Sequence, residues 1–147
     1  MMKLETVSSL VLKQEEFGQR SVQAIKPIMM RPRPNNLQVL RLIDCKIPTQ
    51  VTRELISTLK ENNSLKVLGL VNAKISEQSM QDLGEIVAES NVLRELDISW
   101  NVLKPQCYNT LIESLGENKT LISLNLAMNR IVDSQETILD DQPLSAR

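Results

Sequence analysis

LRELDISWNVL, residues 93–103, places apolar residues at its first, fourth, sixth and eleventh positions and an asparagine at the ninth. The same frame stands at 37–47 (LQVLRLIDCKI), 65–75 (LKVLGLVNAKI) and 121–131 (LISLNLAMNRI), so Leu37, Leu65, Leu93 and Leu121 follow one another at intervals of 28 residues. Inside each frame the apolar positions alternate with the period of two that a short strand with one buried face requires. Further on the spacing becomes helical. Leu55, Leu83, Leu111 and Leu139 lie eighteen residues after the frame starts, and Leu59, Val87 and Leu115 follow them at i+4, the stripe of a helix facing inward. Each unit therefore reads as strand, turn and helix. Parallel strands stack at about 4.8 Å, whereas helix axes need about 10 Å. Stacking such units opens the helical side and curves the strand side into a concave face, about 19 Å long for five strands.

The frame, Leu-x-x-Leu-x-Leu-x-x-(Asn/Cys/Ala)-x-(Ile/Leu), is identified as a leucine-rich repeat. A period of 28 with a full helix in each unit resembles the ribonuclease-inhibitor-like class, shared by ribonuclease inhibitor, the Ran GTPase-activating protein, nucleotide-binding innate immune receptors and tropomodulin. The expected fold is an α/β, right-handed leucine-rich-repeat solenoid, an arc with parallel strands on the concave face and helices on the convex one. The resemblance implies that the ninth column, Cys45, Ala73, Asn101 and Asn129, points inward and satisfies backbone groups of the turn leaving the strand. Ala73 has no side-chain partner to offer, which makes its turn the weak one. Cys45 reads as a buried member of this column and Cys107 as a packing residue, rather than as reactive thiols.

Residues 1–147 read as a single domain. A degenerate unit at about 7–36 precedes the four frames, with Val7, Leu10, Leu12 and Phe17 in the apolar columns, Glu15 in the ninth, and Val22, Ile25, Ile28 and Met29 as a helix face. Its weak match suits an N-terminal cap, and Pro27 is expected to kink or end its helix. The segment 31–36, RPRPNN, reads as an extended loop. Repeats at 37–64, 65–92 and 93–120 are complete. The unit at 121–147 reads as truncated, with only Thr137 to Leu139 and Leu144 available to cover its apolar side and a frayed tail after Pro143.

A hydrophobic share of 41% with 24% charged residues is ordinary for a globular domain, and three aromatics in all suit a core built of repeated Leu and Ile. A net charge of -1 gives no general attraction to nucleic acid or membrane. No apolar run reaches the roughly 18 residues of a membrane span, and the start does not read as a secretory signal. Two cysteines without a terminal cluster favour a reducing, intracellular and cytoplasmic setting. Charge is uneven: residues 17–43 hold Arg20, Lys26, Arg31, Arg33 and Arg41 and no acid, while the tail carries Asp133, Glu136, Asp140 and Asp141.

The outward strand positions are the third, fifth, seventh and eighth of each frame. They give Val39, Arg41, Ile43 and Asp44; Val67, Gly69, Val71 and Asn72; Glu95, Asp97, Ser99 and Trp100; and Ser123, Asn125, Ala127 and Met128. Val39, Ile43, Val67 and Val71 are expected to form an apolar contact patch around Gly69, with Arg41, Glu95, Asp97 and Asn125 as its polar neighbours. Trp100 and Met128 sit where the strand leaves for the turn, and an exposed tryptophan there is a candidate binding hot spot.

The chain has no histidine, the commonest general base and metal ligand. Cys-x-x-Cys pairs, phosphate-binding glycine loops and calcium loops are missing as well, and the strands lack the aromatic and basic stripe of a nucleic-acid reader. No catalytic residue, cofactor or metal is expected. The sequence points to a non-catalytic module that binds a protein partner through its concave strands. One alternative is a structural subunit or fragment of a larger intracellular assembly that uses its terminal edges, with self-association through the C-terminal edge. A GTPase-regulating role is a second alternative, implied by the resemblance to the Ran GTPase-activating protein.

Overall fold

The computed structural model describes residues 7–31 and 37–129. Five strands, β1 (Ser9–Lys13), β2 (Val39–Ile43), β3 (Val67–Val71), β4 (Glu95–Asp97) and β5 (Ser123–Asn125), alternate with four helices, α1 (Gln19–Met29), α2 (Thr49–Leu59), α3 (Glu77–Glu89) and α4 (Pro105–Glu117). The strands form one parallel sheet in chain order β1-β2-β3-β4-β5. Val39 pairs with Val67, Val67 with Glu95 and Glu95 with Ser123. Each step is one 28-residue period, so the sequence frame and the sheet register are the same object. The chain is an α/β leucine-rich-repeat solenoid.

The core is the inward face of this sheet against one stripe of each helix. Leu40, Leu42, Leu68, Leu70, Leu96 and Ile98 are buried from the strands, and Leu55, Leu59, Leu83, Val87 and Leu111 from the helices. Leu115 is half-buried, because among the described residues α4 has a helix on one side only. Neighbouring helices are tied at the surface as well. Lys60 at the end of α2 reaches Glu85 and Asp82 of α3 at 2.5 and 3.2 Å, and these carboxylates hold its ammonium above the usual lysine range.

Side chains complete the turns at both ends of the strands. On the exit side, Asn101 donates to the carbonyls of Leu70, Ile98 and Ser99 at 2.6 to 3.0 Å and accepts from the Ala73 amide at 2.8 Å. Asn129 does the equivalent for the next turn, accepting from the Asn101 amide at 2.7 Å. Ala73 does not leave a weak turn. The buried Thr52 hydroxyl of α2 donates to its carbonyl at 2.6 Å, and Asn101 takes its amide. Cys45 is buried with Sγ 3.5 Å from the Leu12 carbonyl. On the entry side, Asn62, Ser90 and Asn118, again 28 apart, accept from the amides that open the following frames.

Two further expectations change. Helix α1 continues through Pro27 to Met29; the proline lies in its last turn, where one missing amide costs little. Strands β4 and β5 are three residues long, against five in β2 and β3. Asp97 and Asn125, at equivalent positions, accept at 3.0 Å from the amides of Ser99 and Ala127 two residues on, an Asx turn that ends the strand early. Ser99 is consequently buried rather than outward, with Oγ donating to Asp97 Oδ1 at 2.7 Å. The expected loop at 32–36 and the expected truncated helix and tail after residue 129 lie outside the described residues.

Candidate functional site: the outward strand face and the strand-exit rim

Register places the outward side chains in rows. Val39, Val67, Glu95 and Ser123 form one; Arg41, Gly69, Asp97 and Asn125 the next; Ile43 opposite Val71 begins a third. The four branched apolar residues are half-buried as expected of this face, but they do not form a patch centred on an open glycine. Arg41 crosses from β2 over β3 to β4, and Nη2 donates to Glu95 Oε2 at 2.9 Å. Its stem roofs Gly69, where an added Cβ would stand 3.1 Å from Arg41 Cγ. Gly69 is therefore buried, and the ion pair separates Val39 and Val67 from Ile43 and Val71. Arg41 is held by Glu95, so it does not add to a basic N-terminal end; Arg20 and Lys26 are exposed on α1.

Asp97 is engaged too. Besides its bonds to Ser99, Oδ2 accepts from Asn125 Nδ2 at 3.1 Å, and in the eighth column Asn72 donates to Asp44 Oδ1 at 3.2 Å. The outward face thus presents oriented, mutually satisfied polar groups between apolar ones. Among the described residues no three His, Cys, Asp or Glu side chains are grouped to hold a metal. Cys107 is buried at the start of α4, and burial pushes its thiol above the ordinary value, the opposite of an activated nucleophile.

The eighth column has a second peculiarity. Gln14, Asp44, Asn72, Trp100 and Met128 all have φ between 51 and 60°, the left-handed conformation that turns the chain out of the strand. Asp and Asn adopt it readily, whereas other side chains lose about 1–2 kcal/mol. Lys74 and Val102, in the tenth column, share it at 54 and 38°, and a branched residue there is a true outlier. Trp100, Met128 and Val102 are 53%, 51% and 59% exposed, so packing does not offset the strain. What holds Trp100 in place is its neighbours: its amide donates to the Ala127 carbonyl at 3.1 Å, and Asn101 beside it is locked by the bonds given above.

All ten residues expected to bind lie on this one side of the sheet, but in two zones: Val39, Arg41, Ile43, Val67, Val71, Glu95, Asp97 and Asn125 on the face, Trp100 and Met128 on the rim. Sequence reasoning missed Lys74 and Val102, whose signal was a Lys and a Val in the tenth column beside a Trp in the eighth. It also missed the entry ladder, visible in the 28-residue spacing of Asn62, Ser90 and Asn118.

These features define the class: a leucine-rich-repeat α/β domain. Among solved structures the chain is similar to one from Caenorhabditis elegans described as the tropomodulin C-terminal domain. The TM-score is 0.65 at 18% identity, over 74% of this chain and 65% of that one, so the chain spans a little under two thirds of that domain's length. At this identity the likeness is one of fold. No protein-family model and no curated protein matches the sequence. No helix among the described residues is long and apolar enough to cross a membrane.

Proposed function

We propose that the chain is a non-catalytic protein-interaction module of the ribonuclease-inhibitor-like class, that residues 1–147 form its single domain, and that it holds a protein partner on its strand face inside the cell. The observation that carries this reading is the arrangement of Val39 and Val67 on one side, and Ile43 and Val71 on the other, of an Arg41–Glu95 pair already fixed in place. Half-exposed apolar rows supply contact area. Polar groups ordered before binding spare the partner the entropy of ordering them, and they reject partners that mismatch their charge. Replacing Val39 and Val67 together by Lys tests the reading. The circular dichroism spectrum should stay native, because half-exposed outward strand positions accept charge, while the main partner isolated by affinity capture with the wild-type chain should no longer be retained. Undiminished capture by a folded double variant would move the contact surface off this face.

A second reading, a structural subunit that buries its terminal edge against another protein, is supported by β5. No described strand pairs with its far side, and Leu121, Leu124 and Leu126 are only half-buried beneath it.

A further inference from the structure

We propose that the strand-exit rim around Trp100 is a docking site for a peptide segment that presents an aliphatic side chain next to a carboxylate. The proposal rests on the reading of the chain as an interaction module and names the partner chemistry of a zone distinct from the strand face.

Two units place a large apolar residue in a left-handed position where β2 and β3 are followed by Asp44 and Asn72. Strain at a rigidly held position, without burial in return, is the pattern of a site shaped by something other than folding. Trp100, Val102 and Met128 together make an exposed apolar rim, and exposed apolar patches that include a tryptophan are favoured contact points. Next to them is a shallow depression lined by Thr49, Asn72, Lys74, Trp100 and Val102. Lys74 is the one charged residue among those that line it. The Lys74 ammonium makes no ion pair or hydrogen bond among the described residues. Of the acids on adjoining turns, Glu77 is paired with Lys104 at 2.6 Å, whereas Asp44 is hydrogen-bonded to the neutral Asn72 amide at 3.2 Å and keeps its charge. A carboxylate on the incoming segment would therefore meet Lys74, the one charge that lines the depression, while its aliphatic neighbour covers the indole.

Trp100 is the chain's only tryptophan, so its fluorescence reads this site alone. The intact chain is titrated with a synthetic octapeptide alternating aspartate and leucine, and with lysine–leucine and aspartate–serine peptides of equal length. A saturable blue shift with the aspartate–leucine peptide only is expected, and Lys74→Glu should weaken it about tenfold. Trp100→Asn, which restores the residue type found at Asn72, should abolish binding of the same peptide carrying fluorescein, read by anisotropy. It should also raise Tm by about 2–4 °C for each kcal/mol of strain relieved. No shift with the aspartate–leucine peptide, an equal shift with the lysine–leucine peptide, or a Trp100→Asn protein that binds normally overturns the proposal; a Tm at or below wild type removes its premise. An unresponsive Trp100 alongside loss of partner capture by the Val39/Val67 double variant would sink this inference and leave the strand-face function standing.

Discussion

At Gly69 the absence of a side chain is what allows Arg41 to reach Glu95 two strands away. Glycine in a strand interior costs about 0.5–1 kcal/mol relative to alanine, and a half-exposed ion pair, with side chains 34% and 45% accessible, returns about 0.2–1 kcal/mol. The two terms nearly cancel, so the glycine is not explained by stability. Gly69→Val should leave the urea midpoint unchanged or higher, since valine favours strands, while its branch displaces the arginine stem 3.1 Å away. A double-mutant cycle with Arg41→Gln and Glu95→Gln checks this. The coupling of about 0.2–1 kcal/mol should be present in the wild type and vanish in the Gly69→Val background; coupling that persists would mean that the roof over Gly69 can shift and keep its bridge.

Between elements, α3 and α4 meet tightly at Gly84. A Cβ on Gly84 would lie 2.7 Å from Ser114 Oγ and 2.9 Å from Thr110 Cγ2, and Ser114 Oγ is itself fixed by its 2.7 Å bond to the Thr110 carbonyl. Glycine inside a helix normally costs about 1 kcal/mol against alanine, so on propensity alone Gly84→Ala should stabilise. Overpacking at a close contact costs about 1–3 kcal/mol and decides the sign. Gly84→Ala should lower stability in urea unfolding by roughly 1 kcal/mol or more, and Ser114→Ala in the same chain should recover part of it. A more stable single variant would show that the helices can part at no cost. The strands follow the same logic of local chemistry: β4 and β5 are short because Asp97 and Asn125 cap their own turns, whereas Arg41 and Gly69 in that column leave β2 and β3 running for two residues more.

For the whole molecule, what matters is that β5 is the last strand of the described sheet. Ile122 is 78% exposed at the start of β5, and the far edge of this strand has no partner among the described residues, the arrangement that most readily recruits another strand. Light scattering across a concentration series should show association of the wild-type chain, and Ile122→Lys, which sets a charge on the edge without touching the core, should reduce it. A wild-type chain that stays monomeric at every concentration counts against the structural-subunit reading, and leaves the strand-face reading intact.

Spacing along the chain was enough for the repeat, its 28-residue register, the buried columns and most of the outward positions, Ser99 and Gly69 being the exceptions. The physical reason is that each of these follows from a spacing: apolar side chains recur wherever one face of a strand or helix meets the core, and nearest-neighbour stacking converts the period into sheet register without further information. How those outward residues are used depends on contacts between repeats. That Arg41 spends its charge on Glu95, that Gly69 lies roofed, that Thr52 repairs the turn at Ala73 and that Trp100 and Val102 stand strained and exposed while Lys74 has no partner among the described residues are all facts about side chains from different repeats meeting in space. A single repeat frame carries the direction of each side chain but not the length of its reach.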